Sequence, residues 1–251
     1  MIIAIADHKG GVGKTTTAAA LAQGLAVMHP RKKTLLIDAD AQGTATRTLY
    51  GAAGDRGGLY DVLFNGARAA DLVESTEAGD ILPYSRELAS LDTKTAKNPN
   101  RYTMMRDALA DLRTVYDFII IDTPPGLGVG ILQALTAADA VLIPVSADPE
   151  LISSIMQIHA SIETIQNGYN PALQILGAVF TMYDGRAVIT RQHEEYITQL
   201  CKRLKIPVCK THIRNGVKVK EAHALKRSLF TYAPKAKPTE DYRALIKELK
   251  L

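Results

Sequence analysis

The chain has 251 residues, of which 47% are hydrophobic and 22% are charged, proportions that are ordinary for a globular protein. This length fits one α/β domain or two small ones. No apolar stretch reaches the roughly 18 residues of a membrane span, and the short N-terminus lacks the basic region of a signal peptide. The two cysteines form no C-x-x-C pair, so we expect no disulfide framework and a cytoplasmic location.

Charge is distributed unevenly along the sequence. The net charge is only +4, but residues 201–237 contain eleven lysines and arginines and a single acid, Glu221. That stretch therefore carries about +10 and the remainder about −6. Such asymmetry indicates a polyanionic partner, and a solvated basic face without a partner is the alternative.

The first predicted elements surround a glycine-rich loop. Residues 2–6 form a short apolar run, rich in β-branched side chains, that predicts a buried strand. Residues 17–26 predict a helix with four apolar side chains on one face. A strand, a glycine loop and a helix in this order are the context of a phosphate-binding P-loop.

The loop at residues 8–16 has the sequence His-Lys-Gly-Gly-Val-Gly-Lys-Thr-Thr. Glycines let the backbone approach an anion, and the helix N-terminus adds positive charge. Lys14 is expected to contact the β- and γ-phosphates, and the Thr15 hydroxyl to bind Mg²⁺. The general pattern G-x-x-x-x-G-K-[ST] requires glycine where this chain has His8, and the chain adds a second lysine, Lys9. The alternative is a glycine turn with two solvated lysines.

Two aspartates follow the next predicted strand. Residues 34–37 are mainly apolar, and the segment D-A-D-A-Q-G begins directly after them at Asp38. Acids at the carboxyl end of a parallel strand face the ligand crevice of an open α/β sheet. We therefore predict that Asp38 and Asp40 belong to the site; the alternative is that either one caps the next helix.

The middle of the chain predicts structure without naming a chemistry. The elements expected there are a short helix at 59–63, a strand at 80–82 closed by Pro83, and a helix at 102–115.

A third motif follows. Residues 118–121 are four consecutive apolar residues before Asp122, which predicts a central parallel strand ending in a Walker B aspartate. Asp122 is expected to hold Mg²⁺ through a water, because Mg²⁺ dehydrates reluctantly. The predicted elements downstream are a strand at 137–145 stopped by Pro144, a helix at 151–167, a strand and turn at 174–184, and helices at 190–204 and 239–251.

These motifs resemble those of the ParA/MinD family of dimerising ATPases. The segment K-G-G-V-G-K-T-T at 9–16 is similar to the family's deviant Walker A motif, and D-x-D-x-Q-G, D-T-P-P-G and T-M-Y-D follow in the family's order. Residues 212–222 resemble the family segment P-R-N-V-R-x-S-E-A, with Ile213 in place of the proline and Gly216 inserted. The resemblance covers residues 2–249.

The resemblance implies a role for each matched residue. Lys9 would reach across a dimer interface to the partner's nucleotide, Asp40 would position or activate the attacking water, and Asp38 would brace the P-loop and the Mg²⁺ shell. Catalysis is assigned to Lys9, Lys14 and Asp40, and metal binding to Thr15, Asp38 and Asp122. The nucleotide contacts are assigned to Lys9, Gly10, Gly11, Val12, Gly13, Lys14, Thr15, Thr16, Met182, Arg214 and Asn215.

The basic C-terminal stretch suits non-specific DNA binding. It has few aromatic residues among its charges, which disfavours base stacking and favours contacts with the phosphates of a duplex. The residues chosen for these contacts are Arg186, Lys218, Lys220, Lys226 and Arg227.

The sequence therefore predicts a single α/β P-loop NTPase domain over residues 1–251. A mostly parallel twisted sheet is flanked by helices on both faces, with the C-terminal helix at about 239–251 packed on it. The resemblance implies a short, Soj-like ParA ATPase without an operator-binding domain before the P-loop. It would use ATP and Mg²⁺, form a homodimer with ATP, bind non-specific duplex DNA at the nucleoid, and act with a ParB-like protein in DNA partitioning.

Two other classes stay open. A MinD-like membrane-associated ATPase would use the C-terminal helix, whose apolar face is short and whose charges are mixed. A metabolic or redox P-loop enzyme would need a small-molecule pocket or cysteines near Asp122, and Cys201 and Cys209 lie far downstream.

Overall fold

One seven-stranded sheet, in the order β3-β4-β2-β5-β1-β6-β7, runs through the part of the chain that the computed structural model describes, residues 1–55, 57–146 and 151–251. Its strands are β1 (Ile2–Ile5), β2 (Thr34–Asp38), β3 (Glu74–Thr76), β4 (Gly79–Leu82), β5 (Phe118–Asp122), β6 (Ala140–Val145) and β7 (Gln174–Phe180). Only the edge strand β3 pairs antiparallel; the other neighbours are parallel. The predicted fold class, a mostly parallel α/β sheet, is confirmed.

Helices connect and cover these strands. They are α1 (Lys14–Met28), α2 (Leu59–Phe64), α3 (Ala69–Leu72), α4 (Leu91–Thr95), α5 (Met104–Ala108), α6 (Val129–Ala137), α7 (Leu151–Gly168), α8 (Val188–Arg203), α9 (Val217–Ala224), α10 (Leu229–Tyr232) and α11 (Lys237–Glu248). A π-helical turn (Ala45–Tyr50) follows β2, and 3₁₀ turns occur at Arg86–Ser90 and Leu112–Thr114.

The sheet separates two hydrophobic cores, because alternate residues of each strand point to opposite faces. Leu36, Ile120 and Leu142 pack on the side of α1, α10 and α11. Ile37 and Ile121 pack on the other side, against the helices between α2 and α8. Helices thus lie on both faces, as the sequence predicts for a buried parallel sheet.

The strand register brings the predicted acidic residues together at the carboxyl ends of the central strands. Asp38 at the end of β2 is directly opposite Asp122 at the end of β5, and Asp122 is also paired with Ile5 at the end of β1. The P-loop leaves β1 at this same edge. The carboxyl ends of the three central strands therefore form the floor of the candidate site.

α1 is covered more completely than its predicted single apolar face requires. Its residues are buried from Thr17 to Leu25, because α10 and α11 pack on the side that faces away from the sheet. A Cβ at Gly24 would lie 2.5 Å from Ile246 and 2.6 Å from Phe230, so the helices meet here at the closest approach that glycine allows.

Two predicted boundaries are wrong. Pro144 does not stop β6 but lies within it, paired with Val179 of β7. The hydrogen-bond ladder with β1 ends where the Leu142 carbonyl oxygen accepts from the Ala6 N–H, so Pro144, which has no N–H to continue it, stands just past the last bond. The helix predicted at 102–115 is only Met104–Ala108 followed by a 3₁₀ turn, and core packing rather than a continuous helix buries its apolar side chains.

The C-terminal helix predicted at 239–251 is present as α11 and packs against α1. Tyr242, Leu245 and Ile246 are buried, and the Tyr242 hydroxyl hydrogen-bonds the Thr17 hydroxyl at 3.2 Å. Among the helices formed by the described residues, none is both long and apolar enough to cross a bilayer.

Candidate nucleotide site

The loop between β1 and α1 has the backbone shape of a phosphate cradle. Gly11 and Gly13 have φ values of 79° and 85°, a left-handed conformation that only glycine adopts without cost. Gly13 caps α1, and no side chain caps the first N–H groups of the helix. These donors and the helix dipole are therefore directed at the space above the loop, where an anion is stabilised.

Lys14 is held inside this loop. Its side chain is buried, and its ammonium donates to the Lys9 carbonyl oxygen at 2.6 Å. Burial lowers the pKa of Lys14, and the carboxylates of Asp7, Asp122 and Asp40 oppose that shift. The ammonium thus stands between the loop and the acidic floor, where an incoming phosphate would meet it.

A cavity of about 310 Å³ lies directly above the loop. Its lining residues are Gly10, Gly11, Gly13, Lys14, Thr15, Thr16, Asp40, Pro125 and Met182. Most of the loop residues predicted to contact the nucleotide thus share one cavity with Asp40, predicted to position water. We refer to it as the phosphate cavity.

A second cavity of about 280 Å³ adjoins the first and shares Gly13, Thr16 and Met182 with it. Its lining is more apolar, and it includes Met182, Arg214 and Asn215, the three residues predicted to contact the nucleotide outside the P-loop. An apolar cavity with a few polar groups next to a phosphate cradle suits a nucleoside. We refer to it as the nucleoside cavity.

Met182 occupies the junction of the two cavities in a strained conformation. Its φ is 51°, which is unusual for a residue other than glycine. Thr181 on one side bonds the Val12 carbonyl oxygen at 2.7 Å, and on the other side the Tyr183 N–H donates to the Ile213 carbonyl oxygen at 2.9 Å. These neighbours enforce the strain, which is common at ligand sites.

Arg214 is placed in the nucleoside cavity, but its guanidinium is already paired. Asp241 of α11 accepts from its Nε at 2.9 Å and from its Nη2 at 2.6 Å, and also from its main-chain N–H at 3.0 Å. This carboxylate raises the pKa of Arg214. The guanidinium of Arg214 therefore connects residues 213–216, which line the nucleoside cavity, to α11.

Asp122 is the least satisfied polar group of the site. It is fully buried, and neither carboxylate oxygen has a hydrogen-bond partner among the described residues. Burial raises the pKa of Asp122 well above its usual range, and the nearby Asp38 carboxylate adds to the shift, while Thr15 and Lys14 oppose it. The two buried oxygens without partners could bind a cation, whose charge would favour the ionised carboxylate.

Asp38 is buried in the same way but is fully engaged. Its Oδ2 accepts from the Thr46 N–H at 2.8 Å and from the Thr46 hydroxyl at 2.7 Å, and its Oδ1 accepts from the Asp40 N–H at 3.3 Å. Burial raises the pKa of Asp38 to about 6, against the effect of these bonds. Asp38 thus braces the turn that carries Asp40.

The residues present fit a magnesium ion that is shared with phosphates. Mg²⁺ typically keeps several waters and uses one or two carboxylates plus substrate oxygens. Thr15 beside the phosphate cavity and the unpartnered oxygens of Asp122 supply such donors. Within residues 1–55, 57–146 and 151–251, no three His, Cys, Asp or Glu side chains form a metal site by themselves.

The five residues predicted to contact DNA lie on two elements. Lys218, Lys220, Lys226 and Arg227 lie on α9 and the turn after it, and Arg186 lies just before α8. Two of the five are ion-paired: the Arg186 guanidinium with Asp184 at 2.7 Å, and the Lys218 ammonium with Glu221 at 2.7 Å. Lys220 also lines the nucleoside cavity.

The fold divides the basic stretch at residues 201–237. α8 returns along β7 toward its amino end, so the cations at the end of α8 lie away from the site. The chain then runs parallel to β7 again, with Tyr183 bridged to Arg214, and reaches α9 beside the cavities. Among the described residues of this stretch, the cations that line the nucleoside cavity are Arg214 and, on α9, Lys220.

Asp7 and His8 are contacts of this site to which the sequence analysis gave no role. Asp7 accepts from the Lys9 N–H at 2.7 Å and from the Ser154 hydroxyl, and His8 contacts Gly126 and Ser161. The only sequence signal was the departure from glycine at position 8.

This fold and these two cavities define a P-loop nucleotide-binding protein, in which Asp38 and Asp122 lie at the base of the site and Asp122 could bind magnesium. Comparison with known proteins agrees. The family described as AAA domain matches residues 1–175. The chromosome partitioning protein ParA of Myxococcus xanthus is 36% identical over 99% of this chain and 87% of its own length. The chromosome-partitioning ATPase Soj of Thermus thermophilus is 36% identical over 98% of this chain and 94% of its own.

Among solved structures, cobyrinic acid a,c-diamide synthase from Mycobacterium smegmatis with a bound ATP analogue and magnesium superimposes with a TM-score of 0.85. It is 29% identical, and the match covers 98% of this chain and 92% of that one. The chain belongs to the ParA/Soj family of partitioning ATPases. The predicted family, the ATPase class and the cofactors ATP and Mg²⁺ are confirmed.

Proposed function

We propose that this protein is a DNA-partitioning switch, which dimerises around ATP, binds duplex DNA without sequence preference, and releases it on hydrolysis. The observation that carries the proposal is the position of α9. Val219 and Lys220 of this helix line the nucleoside cavity, while Lys218 of the same helix lies on the exposed basic surface. Because α9 contributes to both the nucleoside cavity and the basic surface, a nucleotide in the cavity can change how that surface binds DNA.

The placement of Lys9 supports a role toward a second subunit. Lys9 is absent from the lining of the phosphate cavity and instead lines a separate opening of about 400 Å³, together with Ser153, Ser154 and Gln157 of α7. Its main-chain N–H is fixed by the Asp7 carboxylate. A lysine held beside, rather than within, its own phosphate cavity suits contact with the nucleotide of a partner subunit.

The hydrolytic machinery that we propose consists of Lys14, Lys9 of the partner subunit and Asp40. Asp40 lines the phosphate cavity and accepts from the Gln42 N–H at 2.9 Å, which leaves its other oxygen to orient a water. Lys14, and Mg²⁺ when bound by Thr15 and Asp122, would neutralise the phosphate charge. Phosphoryl transfer depends on such positioning and neutralisation, to which a cation from a second subunit can contribute about a thousandfold or more.

The ion pairs on the basic surface do not oppose DNA binding. Exposed pairs such as Lys218–Glu221 and Arg186–Asp184 contribute little to stability, because water and salt screen them. Exchange of their carboxylates for DNA phosphates releases counterions and is favourable at low salt. Because a dimer presents two such surfaces, the second contact is intramolecular, and weak monomer binding becomes useful affinity.

The proposal extends to partners and location. A ParB-like protein bound to DNA would stimulate a slow basal hydrolysis, and the protein would act in the cytoplasm at the nucleoid. The MinD-like alternative is less favoured, because the apolar side chains Tyr242, Leu245 and Ile246 of α11 are buried against α1 rather than available to a membrane. A redox role is less favoured as well, because burial raises the pKa of Cys201 to about 11 and of Cys209 to about 12, which keeps both thiols protonated.

An electrophoretic shift assay on unrelated duplex DNA tests this function. Wild type is expected to bind with ATP and not with ADP or without nucleotide. Lys9→Ala should abolish binding, because the dimer fails to close, and Asp40→Ala should prolong it, because hydrolysis is slowed. Equal binding in ADP and ATP would contradict the switch.

A further inference from the structure

We propose that His8 is a positioning residue for ATP hydrolysis, which ties the segment after β5 to α7 and so transmits the state of the phosphate cavity to that helix. The proposal concerns the ATPase reaction itself. It rests on the proposed hydrolysis, in which Lys9 of the partner subunit takes part, and it does not depend on DNA binding.

His8 clasps Gly126 through two hydrogen bonds. Its Nδ1 lies 2.6 Å from the Gly126 carbonyl oxygen, and its own carbonyl oxygen accepts from the Gly126 N–H at 2.9 Å. A carbonyl oxygen can only accept, so Nδ1 carries the proton. Gly126 has a φ of 92°, so the clasp holds a left-handed turn that glycine adopts readily.

The other ring nitrogen of His8 contacts α7. With the proton on Nδ1, the neutral ring accepts through Nε2, which lies 3.1 Å from the Ser161 hydroxyl oxygen. The His8 side chain is only 7% exposed. His8 also lines the opening beside Lys9, and its two side-chain partners fix the orientation of the ring.

Asp7 adds a second tie to the same helix. The Asp7 Oδ1 accepts from the Ser154 hydroxyl as well as from the Lys9 N–H. Ser154 and Ser161 are about two helical turns apart and so lie on the same side of α7. Asp7 and His8, which are consecutive at the start of the P-loop, therefore both hydrogen-bond to the same side of α7, at positions about two helical turns apart.

These ties connect the phosphate cavity to α7. Pro125, the residue before Gly126, lines the phosphate cavity, whereas His8 is not among its lining residues. A phosphate that displaces Pro125 also moves Gly126, and the clasp passes that displacement through His8 to Ser161. His8 thus controls the position of groups that touch the phosphates without touching them itself.

Two substitutions separate the two side-chain hydrogen bonds of His8, the one to Gly126 and the one to Ser161. The asparagine amide nitrogen is as many bonds from Cα as Nδ1, so His8→Asn can keep the bond to Gly126 and loses that to Ser161. The glutamine amide oxygen is as many bonds from Cα as Nε2 and can likewise accept from a hydroxyl, so His8→Gln can keep the bond to Ser161 and loses the side-chain bond to Gly126. His29, which bonds the Leu251 carbonyl oxygen at 3.1 Å away from the site, supplies the matched controls His29→Asn and His29→Gln.

Steady-state ATPase assays and direct ATP-binding titrations are the first measurement. His8→Gln is expected to lower kcat about 10-fold, which corresponds to about 1.4 kcal/mol, the contribution of one hydrogen bond. The Kd for ATP should change less than about 2-fold, since a contact outside the cavity adds little to binding. His8→Asn should keep a larger share of kcat than His8→Gln, and the His29 variants should match wild type.

Amide hydrogen exchange with and without a slowly hydrolysed ATP analogue is the second measurement. Wild type should gain protection both at the amides of Gly126 and Leu127 and in α7, and both His8 variants, as well as Ser161→Ala, should lose the gain in α7 alone. Ser161→Ala removes the hydrogen bond between His8 and α7 without altering the P-loop, so it keeps the test decisive if a His8 variant unfolds. Equal kcat in His8→Asn and His8→Gln, a parallel change in Kd, or an unaltered gain in α7 would overturn the proposal.

Discussion

Gly43 closes the turn at residues 40–43, and its substitution tests whether that turn needs glycine. Its φ is 62°, and a Cβ at this position would lie 2.6 Å from ring carbons of Tyr84. The Gly43 N–H donates to the Asp40 carbonyl oxygen at 2.9 Å, so this turn fixes the main chain that carries the Asp40 side chain. Gly43→Ala therefore combines a strained backbone with a steric overlap.

The expected magnitude follows from these two effects. A left-handed conformation costs a non-glycine residue about 1–2 kcal/mol, and overpacking against the Tyr84 ring costs about 1–3 kcal/mol. The reduced freedom of alanine in the unfolded chain offsets about 0.4–1 kcal/mol. We therefore expect Gly43→Ala to lower the free energy of unfolding by about 1–4.6 kcal/mol.

Urea unfolding of the wild type, Gly43→Ala, Tyr84→Ala and the double variant separates the two effects. Without the ring only the backbone strain remains, so Gly43→Ala should cost about 1 kcal/mol in the Tyr84→Ala background. The kcat of ATP hydrolysis should also fall in Gly43→Ala, because the Asp40 turn is displaced. Equal costs in both backgrounds, within about 0.5 kcal/mol, would refute the reasoning.

Three further predictions concern charges. Lys226→Ala should reduce the slope of log affinity for unrelated duplex DNA against log salt concentration by about 0.9, the value for one lost phosphate contact. The control Arg31→Ala, at an exposed position before β2, should leave this slope unchanged. Equal slopes in the two variants would contradict the assignment of Lys226 to a DNA contact. Asp241→Ala removes the carboxylate that holds Arg214 and should lower the free energy of unfolding by about 1–3 kcal/mol in urea titrations; unchanged stability would exclude the brace. Burial alone would raise the pKa of Glu248, but hydrogen bonds from neighbouring main-chain and side-chain groups hold it below its usual 4.5. Stability from this carboxylate is therefore present above pH 4.5 and lost as the pH falls through the lower folded-state pKa. Glu248→Gln should lower the Tm at neutral pH, and the loss should shrink as the pH falls below 4.5; a pH-independent loss would contradict it.

The central strands and the P-loop could be predicted because their signals are local. An apolar run that ends in an acid, or a glycine loop before a helix, specifies both the element and its position on the sheet edge. Asp38 and Asp122 therefore meet in the structure as their place in the sequence implies.

The remainder depends on contacts between distant segments. The roles of Asp7 and His8 require serines of α7 that lie more than 140 residues further along the chain, and nothing near the P-loop encodes them. Arg214 was predicted as a nucleotide contact from its motif, but the acid that engages its guanidinium is 27 residues away on α11. Pairing partners of this kind follow from the topology and not from residue type.

Charge counting shows the same limit. The sequence presents residues 201–237 as one basic block, whereas the fold places the end of α8 away from α9. Of the described cations in this stretch, Arg214 and Lys220 line the nucleoside cavity, and Lys220 lies on α9 beside the exposed Lys218.

The mass of the protein in solution with a slowly hydrolysed ATP analogue and magnesium tests the central claim most directly. Light scattering after size exclusion should give a dimer for the wild type and a monomer with ADP. Lys9→Ala should remain a monomer with the analogue, because the lysine that crosses to the partner is missing. A wild-type protein that is saturated with the analogue and is still a monomer would contradict the account.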